Sequence, residues 1–145
     1  MNKIRIVYYS GMGHTYEMVQ AFAEGVEKAG AETKIYRVTE KENLDYEDIF
    51  SSDILVLASS ACGAESIQEK DFIPFIMDNK EKFNGRKVIL FGSWGWGNGE
   101  YLDIWSKNLS KLGAIVHEEI ITANENPEED TLEELRKLGE KAVNL

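Results

Sequence analysis

Ile4-Arg5-Ile6-Val7-Tyr8-Tyr9-Ser10-Gly11-Met12-Gly13-His14-Thr15 is the stretch on which the fold turns. Ile4 to Tyr9 is a run of β-branched and aromatic residues, the pattern of a strand covered on both faces in a parallel sheet. From Thr15 to Ala29 the apolar residues Met18, Val19, Phe22, Ala23 and Val26 recur at helical spacing, and Gly30 is placed to end the helix. Strand, glycine loop and helix follow one another within the first thirty or so residues.

Working outward, four more strand-like segments are predicted at Thr33 to Val38, Ile54 to Ala58, Val88 to Phe91 and Ile115 to Ile121. Helical patterns lie between and after them, around Tyr46 to Phe50, Gln68 to Asn79, Tyr101 to Leu112 and Pro127 to Val143. Pro127 suits a first helical turn, and Pro74 predicts an irregular or kinked middle helix. Strands alternating with helices imply a parallel sheet with right-handed crossovers and helices on both faces. The 145 residues, 43% of them hydrophobic, suit a single domain spanning 1–145.

Composition narrows the partners. With 26 acidic against 16 basic residues the formal charge is −10, so a nucleic-acid backbone or an anionic membrane surface is repelled. No apolar run approaches the ~20 residues that cross a bilayer. The same field suits docking to a basic protein surface. Cys62 has no second cysteine to pair with, and MNKIRIVYY lacks the features of a signal peptide, so a cytoplasmic protein, monomeric, is expected.

In an open parallel sheet, ligands bind where loops leave the carboxyl ends of the strands. Three such loops are rich in glycine and small residues: Ser10 to Thr15, Ser59-Ser60-Ala61-Cys62-Gly63-Ala64-Glu65, and Gly92-Ser93-Trp94-Gly95-Trp96-Gly97-Asn98-Gly99. The first can direct backbone N–H groups and the hydroxyls of Ser10 and Thr15 at an anion, at the positive end of the following helix. It lacks the lysine of a nucleotide-hydrolysing loop, so a tightly kept phosphomonoester suits it better. Two tryptophans among four glycines call for a planar aromatic partner. Phosphate and planar ring together indicate FMN.

These motifs carry a resemblance over essentially the full length: the chain is similar to the short-chain flavodoxins of anaerobic bacteria. SGMGHT, SSACGAE and FGSWGWGNG are the matching segments, and Ile115 to Ile121 has no long insertion. The resemblance implies a flavodoxin-like, doubly wound α/β fold with five parallel strands in the order 2-1-3-4-5. It implies an FMN site and a low-potential electron carrier serving redox-partner proteins, with no catalytic residues of its own. Phosphate contacts are implied for Ser10, Gly11, Met12, Gly13, His14 and Thr15. The Ser60, Ala61, Cys62, Gly63 and Ala64 loop is implied to cover one ring face, and Trp96 the other. Ser93, Trp94, Gly95 and Gly97 approach the ring edge and ribityl chain, with Asn124 more weakly. Gly63 suits a peptide that swings towards N5 of a one-electron-reduced flavin, since glycine tolerates both backbone states.

The chain departs from the family at named positions. Met12 stands where a hydroxyl residue is usual, His14 where asparagine is, Ala64 where an acid is common and Cys62 where a methionine often lies. Loss of one charge-assisted bond, worth ~1.5 to 3 kcal/mol, predicts weaker FMN binding. Fewer acids near the ring predict a less negative potential, with Glu65 in partial compensation. Cys62 reads as a packing residue. His14 opens an alternative, since an imidazole in a tryptophan-walled cleft can ligate the iron of a haem; His117 reads as structural. A third reading is an FMN-dependent reductase of a small molecule, for which no nicotinamide motif or acid/base pair is evident.

Overall fold

The computed structural model describes residues 1–62, 66–95 and 97–145. Its strands are β1 (Ile4–Tyr9), β2 (Thr33–Arg37), β3 (Ile54–Ser59), β4 (Lys87–Trp94), β5 (Ile115–Val116) and β6 (Ile121–Asn124). The main helices are α1 (His14–Lys28), α2 (Tyr46–Ile49), α3 (Glu69–Asp78), α4 (Glu100–Lys111) and α5 (Glu129–Ala142), with short 3-10 turns at Lys41–Asn43, Lys80–Phe83 and Gly97–Gly99. The sheet runs β2-β1-β3-β4-β5, every pairing is parallel, and β6 also pairs with β4.

Alternation along the central strands sorts the core into two layers. Ile4, Ile6 and Tyr8 of β1, with Ile54, Val56 and Ala58 of β3, face α1 and α5. Val7, Leu55 and Leu57 face the opposite way, against Phe72, Phe75, Leu102 and Trp105 of α3 and α4. All six residues of β3 are buried, as a strand in the middle of a two-sided sheet must be.

The fifth strand departs from the expected single run of Ile115 to Ile121. Ile115 is in register with Lys87 and Ile121 with Phe91, so the chain spends six residues where β4 advances four. His117 still donates its N–H to the Val88 carbonyl at 2.8 Å, and the surplus leaves the ladder at Glu118 to Ile120. Glu118 and Glu119 give the reason: successive residues of a strand face opposite sides, so pairing both would push one carboxylate under a helix. Both are exposed instead.

Two helix expectations also shift. Pro127 lies before the cap Glu128 and outside α5. The middle helix α3 is continuous through Pro74, which sits on its exposed side, where the carbonyl deprived of its usual donor is near water.

Candidate functional site

β1, β3 and β4 end together at one edge of the sheet, where the chain leaves β1 for β2 on one side and leaves β3 for β4 on the other. Such a switch point leaves a crevice between diverging loops. A cavity of about 450 Å³ opens there, within the range of small-molecule sites. Its wall is formed by Tyr9, Gly11, Met12 and His14 from the first loop, Ser60, Ala61 and Cys62 from the second, and Ser93, Trp94, Gly95 and Glu125 from the ends of β4 and β6.

Gly13 starts α1 in a left-handed conformation (φ 91°), which a residue with a Cβ adopts at a cost, and brings no capping side chain. Among the described residues, the N–H groups of Met12, Gly13, His14 and Thr15 have no hydrogen-bond partner. The cap is supplied from further back, by Ser10 Oγ accepting the Tyr16 N–H at 3.1 Å. That bond uses a lone pair and leaves the Ser10 proton to donate.

Thr15 takes a different role from the one expected. It is fully buried, 2.9 Å from Ser60 Oγ and 2.8 Å from Ser93 Oγ, and accepts the Ser93 N–H at 3.3 Å. With one proton and two lone pairs, its hydroxyl donates to one serine and accepts from the other. It is therefore saturated, and a single proton of the trio is left over, on Ser60 or Ser93. Thr15 thus ties the three loops together through its hydroxyl.

The second loop is anchored at both ends. Ala61 donates to the Ser93 carbonyl at 2.9 Å, and Cys62 and Ser66 exchange both backbone hydrogen bonds, at 2.7 and 2.9 Å. Burial pushes the Cys62 thiol up, which keeps it protonated and suits a packing role. Burial, with Cys62 next in effect, also raises the Tyr9 phenol. Gln68 caps α3 behind this loop by accepting the Asp71 and Phe72 N–H groups. Gly63 and Ala64 lie outside the described residues, as does Trp96.

Gly92 sits where β4 and β3 leave no room for a side chain: a Cβ would stand 2.1 Å from the Ser59 carbonyl oxygen. Tyr101 closes the base of the same region, its one hydroxyl proton shared between the carbonyls of Ser59 (2.6 Å) and Ser93 (3.0 Å). Trp94 is half-buried, and among the described residues its Nε1 has no partner. Gly97 opens the following 3-10 turn with φ 83°.

Two wall residues escape a reading of the sequence. Tyr9 looks like one more strand residue, and Glu125 follows Asn124, the residue that the resemblance singles out. Glu125 has a left-handed backbone (φ 58°), donates its N–H to the Trp94 carbonyl at 2.7 Å and reaches the cavity, whereas Asn124 pairs with Trp94 as the last residue of β6. A charged residue with positive φ beside a loop is a structural signal only.

The donor set fits FMN. Unpaired N–H groups and the Ser10 hydroxyl suit a phosphate, and the cavity beside them has an indole and small side chains for a planar ring.

A parallel doubly wound sheet, with an anion loop after its first strand and an aromatic-walled crevice at the switch point, defines a flavin-mononucleotide protein of the doubly wound class. The comparisons narrow the class to a family. A sequence profile described as Flavodoxin matches residues 6–139. The chain is 37% identical to a flavodoxin of Megasphaera elsdenii over 140 residues, 97% of this chain and 98% of the relative. It is 32% identical to a flavodoxin of Clostridium beijerinckii over 142 residues, covering 98% and 100%. The solution structure of two-electron reduced Megasphaera elsdenii flavodoxin superposes with a TM-score of 0.83 at 34% identity, covering 95% of this chain and 98% of that one. The chain belongs to the flavodoxin family. Nothing in these comparisons supports the haem reading of His14.

Proposed function

We propose that this flavodoxin carries electrons on FMN held at the ends of β1, β3 and β4, and passes them to partner proteins that present basic docking surfaces. The observation that carries the reading is the row of N–H groups from Met12 to Thr15, without partners among the described residues, beside a cavity that Met12 and His14 line. Fixed dipoles of this kind hold a dianionic phosphate without a lysine.

When bound, FMN supplies a centre that takes up and gives back electrons. The chain's own residues hold it and shape its surroundings. Ser10 and the loop N–H groups bind the phosphate, and Gly11 and Gly13 let the backbone approach it. Ala61 to Ala64 cover one face of the ring and Trp96 the other, while Ser93, Trp94, Gly95 and Gly97 border its edge and side chain. Glu125 places a carboxylate at the rim. A single cysteine suits a cytoplasmic setting, and among the described residues no helix is long and apolar enough to cross a membrane. A charge of −10 opposes self-association and favours a monomer.

Titration of the apoprotein with FMN and FAD, followed by flavin fluorescence, tests the reading. FMN fluorescence should be quenched with the higher affinity, because the donors converge on a terminal phosphate. Equal affinity for FAD, or no quenching by either, overturns it.

A further inference from the structure

His14 is left with a task that no other side chain of the first loop can perform. The Thr15 hydroxyl is saturated by Ser60 and Ser93. Ser10 offers one neutral proton while its oxygen caps Tyr16. Met12, 86% exposed, carries a thioether with no proton to donate. His14 is the first residue of α1, is half-exposed and lines the cavity, and its ring has no hydrogen-bond partner among the described residues.

The charged surroundings sharpen the point. No lysine or arginine lines the cavity among the described residues. Glu125 faces it from the end of β6, Tyr9 and Cys62 are its other ionisable wall groups, and Glu17 lies one turn along α1. A protonated His14 is thus the one side-chain cation that this wall can bring to an anion.

We propose that His14 is a proton-linked anchor for the cofactor's phosphate, pairing with it when protonated, so that its contribution to holding FMN grows as pH falls through the range in which imidazoles titrate. The proposal rests on the FMN reading above. Two ionisations act in opposite directions. A phosphomonoester loses its second charge near pH ~6, which weakens binding in any variant. Protonation of an imidazole strengthens binding only where a histidine is present. By reciprocity, a bound phosphate must also raise the proton affinity of His14.

Comparison of the natural protein with His14→Asn isolates the effect, since asparagine keeps a hydrogen-bond donor at the same place but carries no proton-dependent charge. Affinities for FMN and for riboflavin, which has no phosphate, are measured on apoprotein at about pH 8 and about pH 5.5. Expected is an FMN affinity ratio, natural over variant, that rises about tenfold between the two pH values, with a riboflavin ratio that does not change. The His14 ring-proton titration, followed by NMR, should move to higher pH when FMN is added. His14→Gln should behave as His14→Asn does. An FMN ratio that is flat with pH, or a riboflavin ratio that shifts equally, overturns the proposal and leaves the FMN reading standing. Failure of both proteins to bind FMN at either pH overturns both.

Discussion

Thr15 shows how one side chain can tie together three loops that line a site. Its hydroxyl joins the loops after β1, β3 and β4, so Thr15→Val leaves the Ser93 N–H and two serine hydroxyls short of a partner. A cost of about 1 to 3 kcal/mol is expected for such a buried group. Urea unfolding of apoprotein should show it, together with weaker FMN binding, and Thr15→Ser should recover most of both. The tryptophans divide in another way. Trp105 is 3% exposed and meets Phe72 edge-on at 5.1 Å, so Trp105→Ala is expected to lower stability by about 3 to 5 kcal/mol. Trp96→Ala should instead weaken FMN binding far more than Trp105→Ala does, with folding retained. Equal affinities in the two folded variants would remove Trp96 from the ring face.

Helices α1 and α5 show close approach enforced by glycine. A Cβ on Gly25 would lie 1.9 Å from the Arg136 carbonyl oxygen, and one on Gly139 would lie 2.1 Å from that of Phe22. Each helix therefore presents a gap to the backbone of the other. On propensity alone Gly25→Ala should stabilise α1 by up to about 1 kcal/mol. Backbone cannot yield as a flexible side chain can, so the expected outcome is the reverse: a loss of about 1 to 3 kcal/mol by urea unfolding. The interrupted fifth strand follows the same logic, since Ile121 to Asn124 rejoin β4 only after the two glutamates have been passed on the outside.

Stability of the entire molecule carries an acid-sensitive contribution at the end of β1 remote from the cavity. Asp48 accepts from Arg5 Nε and Tyr36 Oη, each at 2.7 Å, joining α2 to β1 and β2. The Arg5 hydrogen bond is the main reason that its carboxyl is held down at about 2, below the ordinary 3.8. A depressed folded value means stability that is complete above about pH 4 and is lost as pH falls towards 2. Asp48→Asn should flatten that part of the pH profile, a difference of about 1 to 2 kcal/mol measured by chemical unfolding at several pH values. The charge of −10 acts at longer range. Electron transfer to a basic partner should slow as salt shortens the Debye length from ~10 Å at 0.1 M, with stopped-flow rates as the measure. Rates independent of salt would remove the electrostatic account of docking.

Much of this protein is written locally. Ile4 to Tyr9, the helical spacing from Thr15 to Ala29 and the glycines between them specify strand, turn and helix through neighbouring residues, and the repeated alternation specifies a parallel sheet. The three loops were legible for the same reason, since glycines and tryptophans in a loop have no local explanation. What lay beyond the sequence depends on residues far apart in the chain. Thr15 became a buried knot because Ser60 and Ser93 meet it from other strands, and Glu125 entered the cavity because β6 ends beside Trp94. The fifth strand broke because its register against β4 decided which side Glu118 and Glu119 would face. Local pattern selects the elements; hydrogen-bond saturation and register, which exist only once strands are paired, decide which side chains remain available to a ligand.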